Sequence, residues 1–192
     1  MATTATELPA WFYPGPEGGW TFDDLHLVPA DAPRYELIDG ALIFMSPQRS
    51  VHDVVKFNLR SRLQAQAPPG FQVMSEMAVL LSDRTAPEPD VLVVTPPYQR
   101  DRTRYLPSEV LLAIEVVSPE SQDRDRKDKP GRYAEAGIAH FWRVEIEPSG
   151  IAVHTFELEP TTGTYVATGI ERGRFTRPLP YVVNIDASTL ES

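Results

Sequence analysis

Apolar residues along the chain follow two different periods, and the clearest helical stretch runs from Ser50 to about Gln66. Within it, apolar side chains recur every three or four positions, which is typical of an amphipathic helix. These apolar positions are Val51, Val54, Val55, Leu59 and Leu63. Because Pro68-Pro69-Gly70 cannot continue a helix, the predicted helix ends before it.

A β-hairpin is predicted upstream of this helix. Two short apolar runs, Arg34–Ile38 and Ala41–Met45, are separated by Asp39-Gly40. Asp-Gly between two such runs is the strongest local hairpin signal, because both residues tolerate the positive φ of a tight turn. Earlier still, Thr21 followed by two acids predicts a capped short helix, which Pro29 ends.

Most of the remaining apolar runs are short and rich in β-branched residues, which favours strands. They are Phe71–Ser75, Ala78–Leu81, Val91–Val94, Val110–Val117, Phe141–Ile146, Ile151–Leu158, Tyr165–Thr168 and Tyr181–Ile185. Between two of these runs, the charged segment Asp123–Lys129 leads into a helical composition over Arg132–Ala136, with Gly137 as its C-terminal cap. This order predicts a mixed α/β fold, with a mixed sheet flanked by helices.

The length of 192 residues suits one domain with a short accessory segment. Residues 1–20 are rich in Pro, Gly and Thr, so we expect an N-terminal arm there, partly held by Trp11 and Phe12. Residues 21–192 are expected to form one domain.

Composition excludes several kinds of site. The chain has no cysteine, which removes disulfides and thiolate zinc sites, and its four histidines form no closely spaced ligand pair. No run reaches the roughly 18 apolar residues of a membrane span, and no signal peptide is evident, so a cytoplasmic location is the default expectation. The net charge of −9 argues against binding nucleic acid by bulk positive charge.

Two acidic residues stand out against their apolar surroundings. Asp90 follows Pro89 at the start of an apolar run, where a structural turn residue is the ordinary interpretation. Glu115 lies inside the apolar run Val110–Val117, where an ionised carboxylate is costly unless it is paired or bound to a metal. A buried ion pair and a metal site are therefore both open for Glu115.

If the two runs are neighbouring strands, Asp90 and Glu115 can converge on one hard cation such as Mg²⁺ or Mn²⁺. A nearby lysine would complete such a site, and Lys127 and Lys129 are the candidates, although a solvated helix face is the ordinary place for both. Glu36 in the hairpin and His52 at the start of the long helix are open to a structural or a functional interpretation. A hydrolase with Ser118 as nucleophile lacks an accompanying base or nucleophile elbow.

The order of these motifs resembles the Uma-two family of restriction-endonuclease-like proteins, within the PD-(D/E)XK nuclease superfamily. The resemblance covers about Tyr35 to Leu158. The residues that carry it are Tyr35-Glu36-Leu37-Ile38-Asp39-Gly40, Met45-Ser46-Pro47, His52, Pro89-Asp90, Glu115-Val116-Val117-Ser118-Pro119, Asp125, Lys129, Tyr133, Gly137 and Phe141-Trp142.

The resemblance implies a restriction-endonuclease-like core and a divalent metal held by Asp90 and Glu115. It implies that Glu36 is an auxiliary acid, and that Lys129 replaces the lysine that the superfamily usually carries two residues after the second acid, where this chain has Val117. His52 and Ser118 would line the site.

One further departure concerns the residue after Lys129. Pro130 suits the first turn of a helix, so either a helix begins there or a longer helix is kinked.

Two functions remain open at this stage. The first is Mg²⁺-dependent hydrolysis of DNA, with a homodimer as a plausible assembly because double-strand cutting needs two sites. Phosphate contacts would then come from five arginines, namely Arg100, Arg102, Arg104, Arg124 and Arg126. The second is a non-catalytic binding module on the same fold, which the acidic net charge and the missing strand lysine favour.

Overall fold

The computed structural model describes residues 18–192, so the part of the predicted arm that contains Trp11 and Phe12 lies outside the described residues. These residues contain two α-helices, α1 (Ser50–Gln66) and α2 (Lys129–Glu135). The strands are β1 (Tyr35–Ile38), β2 (Ala41–Phe44), β3 (Gln72–Met74), β4 (Ala78–Val79), β5 (Val91–Val94), β6 (Arg104–Tyr105), β7 (Val110–Val117), β8 (His140–Glu147), β9 (Gly150–Glu159), β10 (Thr164–Glu171), β11 (Arg174–Arg177) and β12 (Val183–Asp186).

Six strands form the central sheet in the order β10-β9-β8-β7-β5-β3. Within this sheet β7 and β8 are the one parallel pair, and the chain between them carries a π-helical turn (Arg124–Asp128) followed directly by α2. The other neighbours in the sheet are antiparallel. The predicted mixed sheet with flanking helices is confirmed. Within residues 18–192, no helix is both long and apolar enough to cross a membrane.

Each face of the sheet is covered by one helix. Val55, Leu59 and Leu63 of α1 pack on one face, and Tyr133 of α2 packs with Phe141 on the other. Successive residues of a strand point to opposite faces of the sheet. Since both faces are covered, every residue of β7 except Leu111 is buried. This is why the sequence of β7 is almost continuously apolar.

Three predicted local features are confirmed. Asp39 and Gly40 both have positive φ, at 51° and 78°, and close a two-residue hairpin between β1 and β2. Thr21 forms a capping box with Asp24, although the helix that follows (Phe22–Leu27) has 3-10 geometry. Gly137 ends the α2 region with a φ of 81°.

The structure corrects several predicted bounds near the C-terminus. β10 extends to Glu171, beyond the predicted end at Thr168, because its exposed edge-strand residues give no apolar alternation. β11 was not predicted, since Phe175 is its only buried residue. Tyr181 precedes the last strand instead of opening it, and its hydroxyl donates to the Leu63 carbonyl of α1, 2.7 Å away.

Candidate active site

The two acids singled out in the sequence lie side by side at one end of the central sheet. β5 and β7 are antiparallel neighbours with Val91 opposite Ile114, so the register brings Asp90 next to Glu115. The Val116 amide donates to Asp90 Oδ2 at 2.8 Å, which fixes that carboxylate against β7. Both acids share the face covered by α2, since the side chains along each strand alternate. The expected convergence of Asp90 and Glu115 is thus present.

Lys129 is the lysine that reaches these acids. Its Nζ lies 2.8 Å from Glu36 Oε1, 3.1 Å from Glu115 Oε1 and 3.8 Å from Asp125 Oδ1. Lys127 instead projects into solvent and pairs with Asp123. The structure therefore separates the two candidate lysines, and only Lys129 is buried.

The departure at Pro130 is also explained. α2 begins at Lys129 with Pro130 in its first turn, where proline's missing N–H has no cost, and a π-helical turn precedes it. The chain therefore combines the two alternatives, since a new helix starts at Lys129 and the turn before it stays helical.

Glu36 lies behind Lys129. Its side chain is fully buried, and Oε1 accepts bonds from Lys129 Nζ and from the Glu88 amide at 2.9 Å. Glu36 does not line the cleft, whereas Asp90, Glu115 and Asp125 do. Its contacts point to a role in holding Lys129.

Two further residues of the cluster were not among the predicted site residues. Asp125 is 2% exposed, and its Oδ2 accepts a bond from the Ser121 hydroxyl. The Tyr133 hydroxyl donates to Glu115 Oε1 at 2.6 Å. Asp125, Lys129 and Tyr133 recur every four residues, so the helical segment presents them on one face. That spacing, together with the place of both residues in the family resemblance, was the signal available in the sequence.

Negative charge exceeds positive charge in this cluster. Four buried carboxylates, those of Glu36, Asp90, Glu115 and Asp125, lie around one buried ammonium, that of Lys129. Burial raises the pKa of Glu115 well above its usual range, and the neighbouring carboxylates raise it further. The positive charge of Lys129 lowers this pKa, but by less than the other effects raise it. Burial likewise raises the pKa of Asp125 to about 6, despite Lys129 and the Ser121 hydroxyl.

Lys129 responds in the opposite direction. Burial alone would lower its pKa, but the carboxylates of Glu115, Glu36 and Asp125 raise that pKa above the usual lysine value. The ammonium therefore stays charged at neutral pH. Lys129 is thus the one buried ammonium opposite these four acids, while Arg34 and Arg124 add positive charge in the wall of the cleft.

His52 completes the wall of the cleft from α1. Its Nε2 lies 2.8 Å from the Val116 carbonyl oxygen and 3.4 Å from Asp90 Oδ2, so Nε2 carries the proton. Burial opposes the charged imidazole, but the hydrogen bond and charge of Asp90 raise the pKa of His52 overall. Its Nδ1 is buried and has no hydrogen-bond partner within residues 18–192.

The cleft itself is narrow. It encloses a cavity of about 30 Å³, room for about two water molecules. Its walls include Asp90, Glu115, Asp125, Lys129 and His52, together with Ser118. Ser118 forms a local turn with Ser121, the two hydroxyl oxygens being 2.9 Å apart. Both residues that the resemblance placed at the edge of the site, His52 and Ser118, are thus found there.

Several carboxylate oxygens of the cluster are available to a divalent cation. In the described part of the chain, no hydrogen bond reaches Asp90 Oδ1 or Glu115 Oε2, and the buried Asp125 Oδ1 has no hydrogen-bond partner. Free carboxylate oxygens and excess negative charge suit Mg²⁺ or Mn²⁺. Within residues 18–192, no three His, Asp or Glu side chains are already arranged as metal ligands. The residues fit the ion chemically, and side-chain adjustment is required to bind it.

The five candidate arginines occupy different places. Arg124 lines the cleft, and its buried Nε lacks a hydrogen-bond partner in the described chain. Arg126 and Arg102 pair with Glu145 and Glu109, respectively. The other two lie outside the cleft, with Arg104 over the Phe22 ring and Arg100 exposed.

An ion-pair network borders the cleft on its other side. Arg34, a cleft residue, pairs with Glu76 and, at 3.1 Å, with Glu88. Lys56, one helical turn after His52, reaches Glu76 Oε1 at 2.6 Å. These pairs fix the hairpin and α1 on either side of the carboxylates.

Comparison with known proteins identifies the family and the fold. The profile of the Uma2 family, described as "Putative restriction endonuclease", matches residues 22–188. The fold is similar to that of a crystal structure from Anabaena variabilis ATCC 29413, described as "a putative nuclease belonging to DUF820". That similarity has a TM-score of 0.70 at 15% sequence identity and covers 89% of this chain and 97% of the other. No curated protein matched the chain. The expected restriction-endonuclease-like fold is confirmed.

Proposed function

The chain belongs to the Uma2 family of restriction-endonuclease-like proteins, and on that basis we propose that it is a metal-dependent endonuclease that hydrolyses phosphodiester bonds in DNA. The observation that carries the proposal is the excess of buried carboxylates at the ends of β5 and β7. Such an arrangement is costly for folding unless a cation offsets it, so it is expected where a cation has to bind.

In this proposal Asp90 and Glu115 hold Mg²⁺ or Mn²⁺ through the oxygens that no hydrogen bond occupies. The bound ion would supply Lewis acidity and offset the negative charge of a phosphate. Tyr133 and Lys129 both contact Glu115 Oε1, so Glu115 Oε2 would be the oxygen that binds the ion. The Val116 amide holds the Asp90 carboxylate in the same way through Oδ2.

Lys129 would orient the attacking water or stabilise charge on the phosphate, as lysines do in preorganised sites. Glu36 holds the ammonium from behind, so Lys129 is fixed although it lies on a helix. Arg124 is the arginine suited to a phosphate, because it lines the cleft. The acidic net charge then matters less, since the positive field is local.

The proposal is tested by incubating supercoiled plasmid with the wild type and with Glu115→Gln, each with Mg²⁺ or Mn²⁺ and with EDTA. Glutamine keeps the shape of the buried side chain, and its amide oxygen can still accept the Tyr133 bond, so we expect the variant to fold. Glu157→Gln, the same change at an exposed position of β9, is the matched control. We expect metal-dependent nicking by the wild type and the control only. Equal nicking by Glu115→Gln would overturn the assignment of the site.

A second function, a non-catalytic binding module, is favoured by one observation. Lys129 already bridges Glu36 and Glu115, so part of the carboxylate charge is neutralised without a cation. Calorimetric titration with Mn²⁺ separates the two functions. Wild-type binding that Glu115→Gln loses supports the enzyme, whereas no binding at millimolar Mn²⁺ supports the module.

A further inference from the structure

A second cavity lies on the other side of the helical segment that carries Asp125. It has a volume of about 290 Å³ and lies between α2 and the strands β8, β9 and β10, open to solvent. We call it the aromatic pocket and define it by Arg126, Gly131, Phe141, Arg143, Phe156 and Tyr165. None of these residues takes part in the carboxylate cluster, and the proposed hydrolysis does not use them.

One wall of this pocket is aromatic. The rings of Phe141 and Tyr165 stack with centroids 5.6 Å apart, and Phe156 lies at the same distance from Phe141. The opposite wall is formed by α2, where Gly131 and Ala134 are small. A gap therefore remains between α2 and the aromatic rings. Phe141 is fully buried, so the partly exposed rings of Phe156 and Tyr165 are the ones that a bound base could contact.

One end of the pocket carries excess positive charge. Arg126 binds Glu145 through two hydrogen bonds, at 2.9 Å and 2.7 Å, and Arg143 Nε lies 2.9 Å from the same carboxylate. Two guanidinium groups therefore share one carboxylate. The Arg143 guanidinium also lies 5.6 Å from the centroid of the Phe156 ring. Glu135 is the one acid among the described residues that line the pocket, and it is nine residues along the helical segment from Arg126, roughly 13 Å away.

We propose that the aromatic pocket binds an unpaired nucleotide of single-stranded nucleic acid, with its base against the aromatic wall and its phosphate at Arg126 and Arg143. Aromatic side chains beside arginines are the usual means of binding single strands. The pocket also lies next to the cleft, because Arg126 directly follows Asp125 on the π-helical turn. This inference rests on the proposed function only for the class of ligand.

Gly131 allows the pocket to be filled without disturbing the fold. A Cβ added there meets no atom within 4 Å, and its φ is not in the left-handed region. Gly131→Leu would place a side chain in the gap, and Gly131→Ala would leave the gap open. Both changes favour the helix, since glycine is a poor helix former. Thermal melting followed by circular dichroism should show both variants at least as stable as the wild type.

Binding of fluorescein-labelled oligo(dT) is measured by anisotropy in EDTA, which prevents cleavage. We expect Gly131→Leu to weaken binding about tenfold, the usual strength of one base stacked on aromatic side chains, and Gly131→Ala to leave it unchanged. Arg143→Gln should weaken binding and reduce its dependence on salt, because a phosphate contact is lost. Oligo(dT) binding that Gly131→Leu does not weaken would overturn the proposal.

Two further arms identify the ligand and separate this inference from the proposed function. A duplex of matched length should bind independently of Gly131→Leu, and equal weakening of duplex binding would contradict an unpaired base. Thymidine monophosphate should not displace the strand, and tighter binding of the mononucleotide would assign the pocket to free nucleotides instead. A wild type that binds oligo(dT) but never nicks plasmid would retain this inference and refute the nuclease. If the wild type nicks plasmid but Gly131→Leu does not weaken oligo(dT) binding, this inference is refuted and the nuclease is retained.

Discussion

The carboxylate cluster should destabilise the metal-free protein, and Asp125→Asn tests this most directly. Burial raises the pKa of Asp125 from 3.8 to about 6, a difference of about 2.2. Each pKa unit corresponds to about 1.36 kcal/mol, so the ionised side chain costs the fold about 3 kcal/mol at neutral pH. Asparagine is isosteric, and its amide oxygen can still accept the Ser121 bond. After allowing about 1 kcal/mol for a weaker hydrogen bond, we expect a gain of about 2 kcal/mol.

The sign of this effect depends on pH. The folded pKa lies above the unfolded one, so the penalty is fully present above about pH 6 and absent below pH 3.8. Urea unfolding in EDTA at pH 8 should therefore show Asp125→Asn as the more stable protein. At pH 5 the penalty falls to about 1.6 kcal/mol, because the folded wild type is then mostly protonated at this position, so the net gain should fall to about 0.6 kcal/mol.

Asp128→Asn is the matched control, since Asp128 is exposed on the same π-helical turn. It should change stability by no more than about 0.5 kcal/mol at either pH. If Asp125→Asn were less stable than the wild type at pH 8, or if its gain were the same at pH 5, the electrostatic argument for the cluster would be wrong.

Three further predictions concern the other members of the cluster. Lys129→Met should lower the free energy of unfolding by about 3–5 kcal/mol in urea titrations at pH 8, because it leaves buried acids without their cation, whereas Lys127→Met should have almost no effect. Tyr133→Phe should lower it by about 1.5–3 kcal/mol, since a bond to a buried carboxylate is lost; an unchanged urea midpoint would contradict this. Saturating Mn²⁺ should raise the melting temperature of the wild type but not of Glu115→Gln.

The strand acids were predictable from the sequence. The apolar pattern of β5 and β7 defined the strands, and an acid within or beside such a strand is conspicuous. Their pairing needed only the assumption that the strands are neighbours, which the sheet order confirms. The hairpin was equally clear, because Asp39-Gly40 leaves few alternatives.

The contribution of the helical segment was harder to predict. Asp125 lies among charged residues that resemble a solvated surface, and only the four-residue spacing to Lys129 and Tyr133 indicates a buried face. The π-helical turn also disturbs the usual helical period, so a pattern based on 3.6 residues loses the face there. The partners of the arginines come from distant strands, as with Arg126 and Glu145, and no local pattern encodes them.

The hairpin and α2 are joined at two points with the same spacing. Glu36 binds Lys129, and three residues further along both elements, Asp39 accepts two bonds from Arg132, at 2.8 Å and 2.6 Å. The inner pair is buried and the outer pair is largely exposed, so salt weakens only the outer one. Two attachments prevent the hairpin from pivoting about either one. The position and orientation of the Lys129 ammonium therefore depend on where the hairpin lies.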